Sequence, residues 1–325
     1  MKLANIYSFL KKDLHAVEEQ LTEMVDAEHP ILREASLQLL RAGGKRIRPV
    51  FVLLSAHFGN YEKNKERIQA VAVALELIHM ATLVHDDVVD NAELRRGKPT
   101  IKHMYGNRVA MYTGDYILAR ALDVITSVEI PSIHRSLSKT LVQVVEGEID
   151  QIEDKFNLNQ HLRDYLRRIK RKTALLIATS CKLGAIASEA TYEQAKQLYR
   201  YGYNVGMSFQ IIDDILDFTA SPKELGKPTG SDLIQGNITL PVLCAMEDEQ
   251  FLRDLTRIFE GKELVNEHNI GPIIEKLHET DAIAKSYHLS NLYLNKALTA
   301  LERLENNKAK RTLQTIASVI GKRRF

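Results

Sequence analysis

The sequence predicts an all-α protein of roughly a dozen helices, larger than a four-helix bundle, in a single domain of residues 1–325. Apolar residues recur at three- and four-residue steps through long stretches of the chain. Alternating apolar residues around a short turn, which would indicate β-hairpins, are scarce. The eight prolines lie mostly where helices should begin or where loops should run.

The elements follow from these patterns in chain order. Residues 65–85 form the first long apolar helix, and residues 160–188 carry a long apolar run without proline. Residues 192–218 continue as one helix into an acidic cluster. The stretch from about 279 to 320 is typical of two charged amphipathic helices, joined near "NNKAK". The charged region 247–280 matches no chemistry and is interpreted as surface or as a partner contact.

Composition restricts the class of protein. Lysine and arginine number 44 against 42 acidic residues, so the small net charge gives no general attraction to nucleic acid. Cys181 and Cys244 have no paired spacing, which favours a reducing cytoplasm over a disulfide scaffold. Charged residues interrupt the N-terminal apolar residues too early for a secretory signal. No stretch reaches the roughly 18 uncharged apolar residues of a membrane span. We therefore expect a cytoplasmic protein without a transmembrane segment or a nucleic-acid partner.

The segment "LVHDDVVDNAELRRGKPT", residues 83–100, places acid and base close together. Asp86 and Asp90 stand four residues apart on one helix face, with Asp87 about a quarter turn away. Like charges at this spacing cost a helix roughly 0.2–0.5 kcal/mol per pair. Magnesium would relieve this repulsion, because it prefers oxygen ligands and binds through one or two carboxylates plus substrate phosphates.

A second cluster in "FQIIDDILDFTA", residues 209–220, repeats the pattern with Asp213, Asp214 and Asp217. A single cluster of this kind would more often be a solvated acidic face. Both clusters, however, are embedded in Val, Ile, Leu and Phe, and basic residues follow each of them. These are Arg95 and Arg96 after the first cluster and Lys227 after the second. The repeated pattern indicates two magnesium-binding clusters.

Further basic residues in "RAGGKRIRPV", residues 41–50, suggest a polyanion site. Lys45, Arg46 and Arg48 follow two glycines and lead into Pro49, which suits the first turn of a helix. Backbone amides at a helix start and guanidinium groups favour phosphate, although a loop with ordinary surface bases would have the same letters. Lys172 and Thr173 add an ammonium and a hydroxyl at the start of an apolar helix.

Together these groups suggest two diphosphates, one bridging the metals and one on Lys45, Arg48 and Arg96 without metal. The sequence shows no Ser-His-Asp, CxxC or HExxH pattern. His85, beside Asp86, is interpreted as part of a helix end. Such a site suits a reaction in which a diphosphate leaves an allylic carbon with the assistance of a metal ion.

With both aspartate motifs, the Gly-Gly-Lys-Arg-x-Arg-Pro stretch and "RRG" in this order, the chain resembles the trans-isoprenyl diphosphate synthases over nearly its whole length. The resemblance implies the all-α isoprenoid synthase fold, with helices around a deep central cavity. It implies Mg²⁺ held by Asp86, Asp87, Asp90, Asp213, Asp214 and Asp217. It assigns the allylic diphosphate to Arg95, Lys172, Thr173, Gln210 and Lys227, and isopentenyl diphosphate to Lys45, Arg48, His79 and Arg96.

The resemblance also implies a reaction and a product length. The reaction is repeated 1'-4 condensation, with the released diphosphate as the proton acceptor. In this family the fifth residue before the first aspartate motif helps to set the cavity floor, and an aromatic residue there accompanies short products. Here it is Ala81, with aliphatic Ile78 three residues earlier. A small residue there, about 7.5 Å along the helix axis from Asp86, implies a long product of about C30 to C50. The alternative is that Ala81 only packs against a neighbouring helix.

Among long-chain members, the sequence as a whole, including its ending "IGKRRF", is similar to the catalytic chain of two-component heptaprenyl synthases. That similarity implies a heterodimer with a small non-catalytic subunit, and a product for the menaquinone side chain. A homodimeric octaprenyl or similar synthase is the alternative within the class. A terpene cyclase would not need Lys45, Arg48 and Arg96, and a squalene-type synthase would usually add a C-terminal membrane anchor. A non-catalytic regulatory subunit would be expected to lose one aspartate motif, and both are intact.

Overall fold

The computed structural model confirms the predicted all-α class. Helices make up most of the chain, and within the described ranges the strands are limited to β1, Leu94–Arg95, and β2, Lys98–Pro99. These two short strands pair antiparallel as a hairpin. The structure describes residues 8–95, 97–221, 228–261 and 265–322.

The helices occupy the segments that the sequence pattern indicated, with single 3₁₀ turns at Ser8–Leu10 and Glu62–Asn64. In chain order they are α1 Lys11–Met24, α2 Pro30–Arg41, α3 Ile47–Ala56, α4 Lys65–Val89, α5 Ile101–Thr126, α6 Pro131–Glu153, α7 Leu162–Ile169, α8 Leu175–Ala187, α9 Tyr192–Thr219, α10 Ser231–Ile234, α11 Leu240–Ala245, α12 Glu249–Glu260, α13 Glu267–Glu279, α14 Ala282–Glu302 and α15 Lys308–Gly321.

The chain divides into two compact units, each built from several stretches of sequence. The first unit comprises Met1–Ser138, Thr179–Tyr199 and Leu304–Leu313. The second unit comprises Lys139–Ala178, Arg200–Arg303 and Gln314–Phe325. The first aspartate motif therefore belongs to the first unit and the second motif to the second.

Helix α4 forms the core of the first unit, packed against α3 and α5. It follows the predicted helix of residues 65–85 and extends to Val89, and its apolar side chains are buried around most of its circumference. Among the described residues, one helical stretch, Glu62–Val89, is long and apolar enough to cross a membrane. Because 72% of the most apolar 18-residue segment of this stretch is buried inside the protein, we interpret it as a core helix.

The predicted apolar run of residues 160–188 contains an irregularity that bears on the site. Helix α7 passes into a π-helical turn, Lys170–Ala174, before α8 begins. Helix α9 approaches this turn closely at Gly206, where an added Cβ would lie 2.6 Å from the Cα of Ala174. Real Cβ atoms do not tolerate such a distance to backbone, so glycine permits the approach.

Two features of the second unit differ from the sequence-based expectation. Pro272 lies inside α13, rather than at a helix start or in a loop. The region 247–280, interpreted from sequence as surface or partner contact, forms α12 and α13. Its Phe251 and Leu277 are buried in an apolar cluster of the second unit, so part of this region is core.

The close approach at Gly206 gives a testable prediction. We expect Gly206→Ala to lower the free energy of unfolding by about 1–2 kcal/mol, because the steric cost exceeds the gain in helix propensity. Asn204→Ala on the same helix removes only a side-chain bond to the carbonyl of Arg200 and should change stability by under about 0.5 kcal/mol. Urea unfolding followed by circular dichroism measures both variants. If Gly206→Ala unfolds with the same free energy as the wild type, the two helices can move apart without a loss of stability.

Candidate active site

The first aspartate motif stands at the C-terminal end of α4. Asp86 and Asp90 are half-buried, and the amide of Asp90 donates to the carbonyl oxygen of Asp86 at 2.8 Å as the helix ends. The two carboxylates therefore belong to the last turn of a helix whose remainder is anchored in the core. This placement matches the position predicted from the sequence.

Asp87 differs from its two neighbours because it is only 4% exposed. Its Oδ1 accepts from Nε of Arg95 at 2.9 Å and lies 2.7 Å from Nη2 of the same guanidinium. Arg95 in strand β1 is thus held by a buried carboxylate. Arg96, predicted to contact isopentenyl diphosphate, lies outside the described residues.

The hairpin that carries Arg95 is tied to the end of α2. Nζ of Lys98 donates to the carbonyl oxygen of Arg41 at 3.1 Å, and Nε2 of Gln38 donates to that of Pro99 at 3.1 Å. Helix α2 leads directly into the loop that contains Lys45. The first unit therefore places the β1–β2 hairpin beside the end of α2 from which the glycine-rich basic loop continues.

Of the basic residues that follow Gly43 and Gly44, Arg46 forms ion pairs within the protein. It has a left-handed φ of 46°, and its guanidinium pairs with Glu18 and with Glu76, the latter at 3.3 Å. Burial opposes its charge, but the two carboxylates raise the pKa of Arg46. Arg46 therefore ties the start of α3 to α1 and α4, and is not placed to hold a diphosphate.

The described residues predicted to bind isopentenyl diphosphate are Lys45, Arg48 and His79. Lys45 is exposed, whereas Arg48 on α3 and His79 on α4 are half-buried. The charge of Arg48 acts on Glu76: burial raises the pKa of Glu76, and Arg48 and Arg46 oppose that rise. Since Glu76 lies one turn before His79, the structure brings Arg48 into the neighbourhood of the predicted histidine.

The second aspartate motif lies on α9, where its three carboxylates have unequal environments. Asp213 is exposed, whereas Asp217 is only 1% exposed. Asp217 accepts from Oγ of Ser231 at 2.9 Å and from the backbone amide of Asp232 at 3.1 Å. The sequence predicted a shared face for Asp213 and Asp217, but Asp217 holds the start of α10 instead of lying open beside Asp213.

Asp214 is buried and hydrogen-bonded through both oxygens. The hydroxyl of Tyr165 donates to Oδ2 at 2.6 Å, and Nε2 of Gln210 donates to Oδ1 at 2.9 Å. Burial, reinforced by the negative charges of Asp232 and Asp213, raises the pKa of Asp214 to about 7. Asp214 is therefore a buried carboxyl group whose ionisation is opposed by its surroundings, whereas Asp213 is exposed.

The predicted allylic diphosphate residues of the second unit lie close together. Oγ1 of Thr173 donates to Oε1 of Gln210 at 2.6 Å, and Nζ of Lys172 donates to Oε1 of Gln151 at 2.7 Å. Lys227 lies outside the described residues. A cavity of about 50 Å³ at this point is lined by Gln151, Tyr165, Arg168, Ile169, Lys172, Gln210, Asp214, Asp232, Asn237 and Thr239.

The sequence pattern did not single out several of these lining residues. Tyr165 precedes Lys172 by seven positions, or two helical turns, and this spacing could have indicated it. Asp232 and Asn237 follow the second aspartate motif without a local sequence pattern that marks them as ligands. Gln151 comes from another helix, α6, and no local signal identifies it.

The carboxylates fit magnesium sites that substrate phosphates complete. Among the described residues, no group of three or more His, Cys, Asp or Glu side chains is arranged to hold a metal ion. Magnesium seldom requires such a cage, since it usually binds one or two carboxylates together with phosphate oxygens and water. Asp86 and Asp90 on one helix end and the exposed Asp213 on another supply ligands of this kind.

Comparison with known proteins gives consistent results. The polyprenyl synthetase family matches residues 29–277. The chain is 57% identical over 325 residues to heptaprenyl diphosphate synthase component 2 of Bacillus subtilis, covering 100% of this chain and 92% of the relative. It is 55% identical to the protein of the same name from Geobacillus stearothermophilus, with both chains covered completely.

Solved structures agree with the sequence comparison. Heptaprenyl diphosphate synthase from Staphylococcus aureus superposes with a TM-score of 0.92 at 40% identity, covering 99% of each chain. A polyprenyl synthase from Caulobacter crescentus, complexed with calcium and isoprenyl diphosphate, gives a TM-score of 0.93 at 29% identity over 100% of this chain and 98% of that one. The chain belongs to the polyprenyl synthetase family and is a prenyltransferase with the all-α isoprenoid synthase fold.

Proposed function

We propose that this chain is the catalytic chain of a two-component heptaprenyl diphosphate synthase. It would add isopentenyl diphosphate units to an allylic primer, farnesyl diphosphate, until the chain reaches about C35, for use in a menaquinone side chain. The observation that carries the proposal is that each aspartate motif stands near basic or amide side chains suited to a diphosphate. Full-length identity to proteins named component 2 supports the heptaprenyl product.

The predicted ligand assignments remain part of this proposal. Bound magnesium would stabilise the negative charge of the departing diphosphate. The sequence assigns the metal to Asp86, Asp87, Asp90, Asp213, Asp214 and Asp217, and among these Asp86, Asp90 and Asp213 are the carboxylates that are not buried. Arg95, Lys172, Thr173, Gln210 and Lys227 would bind the allylic diphosphate, and Lys45, Arg48, His79 and Arg96 would bind isopentenyl diphosphate. Residues 1–325 would act as one synthase domain in the cytoplasm.

The reaction needs few proton-transferring side chains. After the allylic diphosphate leaves, the double bond of isopentenyl diphosphate attacks the allylic cation, and a proton passes to the released diphosphate. The apolar residues around the aspartate motifs would exclude water, which otherwise captures the cation. This account explains why the sequence carries diphosphate-binding groups without a nucleophile-and-base pattern.

A product assay tests the proposed function. The purified chain receives farnesyl diphosphate, labelled isopentenyl diphosphate and magnesium, alone or with the other component of the Geobacillus stearothermophilus enzyme. We expect a heptaprenyl product only when that component is present. Asp86→Ala and Asp213→Ala should abolish turnover and retain helical content, whereas Asp123→Ala at an exposed site should retain activity. A lone chain that makes the product would establish a self-sufficient synthase, and no product in either case would refute the proposal.

The product length depends, in this proposal, on Ala81 in α4. Ala81 and Ile78 are both buried. If Ala81 lines the product cavity as proposed, a larger side chain at this position would take up space that the growing product uses. We expect Ala81→Phe or Ala81→Tyr to shorten the product by at least one isoprene unit, as measured by chromatography. Met80→Phe, at a buried neighbouring position that faces another direction, is the control and should keep the wild-type product. An unchanged length in the Ala81 variants would mean that this residue only packs.

An exposed apolar surface of the second unit is suited to contact with another protein. Val142, Val145, Ile149 and Ile152 on α6 are each 47–63% exposed, and their 3-4-3 spacing places them along one helix face. Contiguous exposed apolar residues of this kind indicate an interaction site. Glu146 lies within the span of this apolar strip and pairs with Arg171 at 2.9 Å, whereas the exposed Glu153 follows its last residue. Because a second copy would bring the same negative charge of Glu153, this charge favours a different chain whose apolar helix carries a basic residue at that end.

The apolar strip predicts a variant that separates assembly from chemistry. Val145→Glu should weaken activation by the Geobacillus stearothermophilus component by at least about tenfold, because it places a charge in the centre of the contact. Leu292→Glu, at another exposed apolar position of the second unit, is the control. Titration of the component into the product assay, with sedimentation analysis, measures the effect. If Val145→Glu instead converts a dimer of the lone chain into monomers, the strip joins two identical chains.

A further inference from the structure

Tyr165 has no role in the assignments above, although its side chain is fully buried beside the second aspartate motif. Its hydroxyl and the amide of Gln210 occupy the two oxygens of Asp214. Asp214 itself is only 3% exposed, whereas the adjacent Asp213 is exposed. Each oxygen of Asp214 keeps a second lone pair, but the carboxylate is enclosed by protein, so Asp213 is the more accessible of the two to a metal ion.

The hydrogen bonds continue beyond Asp214 to the predicted diphosphate residues. Gln210 donates through Nε2 to Asp214 and accepts through Oε1 from the hydroxyl of Thr173. An amide that donates at one end and accepts at the other has a single orientation that satisfies both partners. The link therefore runs from Tyr165 on α7, through Asp214 and Gln210 on α9, to Thr173 in the π-helical turn.

We propose that Tyr165 is a positioning residue for the allylic diphosphate, and that Asp214 anchors Gln210 and Thr173 rather than binding the metal. The proposal rests on the function proposed above, because Thr173 and Gln210 are assigned to that diphosphate. The first unit contains a parallel arrangement, in which the buried Asp87 holds Arg95. In both units, the middle aspartate of the motif fixes a residue that would contact the same substrate group.

Tyr165→Phe tests the positioning role, assayed with the partner component present. Loss of the hydroxyl frees Asp214 and Gln210, so we expect KM for farnesyl diphosphate to rise about tenfold while KM for isopentenyl diphosphate changes less than about twofold. Tyr203→Phe, at a partly buried tyrosine packed against the same apolar cluster, is the control and should change neither KM. Equal changes in both KM values, or no change in either, would overturn the proposal.

A second comparison separates anchor from metal ligand without measuring turnover. Mn²⁺ binding in the presence of inorganic diphosphate is followed by electron paramagnetic resonance for Asp214→Asn and Asp213→Asn. We expect Asp214→Asn to keep the affinity within about twofold and Asp213→Asn to lose about tenfold or more. Similar losses in the two variants would identify Asp214 as a metal ligand and overturn the proposal.

A double-mutant cycle completes the test. If Tyr165 acts through Asp214, Tyr165→Phe should add no further loss of farnesyl diphosphate affinity in an Asp214→Ala background. Calorimetric titration of farnesyl diphosphate with magnesium measures this even if the unsubstituted chain makes no polyprenyl product. Failure of the unsubstituted chain to bind farnesyl diphosphate would refute the proposed function, and the Mn²⁺ comparison would still decide the role of Asp214. Additive losses in the cycle would overturn the proposed link.

Discussion

The close approach of α9 to the π-helical turn at Gly206 is the constraint on which the second-unit cluster depends. With no Cβ at this position, the backbone near Ala174 comes close enough for Thr173 to reach Gln210, one turn further along α9. The π-helical turn contributes from the other side, because it shifts the register of the chain between α7 and α8. A local backbone irregularity thus brings together side chains that are 37 residues apart in the sequence.

The aspartates show how burial and partners give different properties to identical side chains. Asp213 is exposed and suited to a metal that substrate phosphates complete. Asp217, only four residues later, is buried and supports the start of α10. Asp214, between them, accepts from Tyr165 and Gln210, and its burial raises its pKa to about 7. A motif in the sequence therefore identifies the place of the chemistry without assigning a common role to each carboxylate.

The sequence predicted the long helices well because their apolar period persists over many turns, as in α4 and α9. It did not predict the pairing of Arg46 with Glu18 and Glu76, since these partners lie 28 and 30 residues away. The sequence analysis grouped Arg46 with Lys45 and Arg48 as one basic segment and assigned only the latter two to a diphosphate, without identifying a role for Arg46. Its left-handed backbone and the ion pairs of its guanidinium with Glu18 and Glu76 distinguish it from a diphosphate ligand. Local periodicity is visible in a sequence, whereas the choice of a distant charged partner is not.

The same limitation explains why Tyr165 was missed while Lys172 was found. A basic residue at a helix start has a recognisable relation to phosphate, but a tyrosine in an apolar helix is usually core. The hydroxyl of Tyr165 becomes informative only when its acceptor is seen to be a buried carboxylate of the aspartate motif. A buried carboxylate that accepts a hydrogen bond from a phenol costs less free energy than the same carboxylate without that donor. The hydrogen bond therefore stabilises the folded state. Once the carboxylate is held, the residues hydrogen-bonded to it are oriented before any substrate arrives, which lowers the ordering cost of binding.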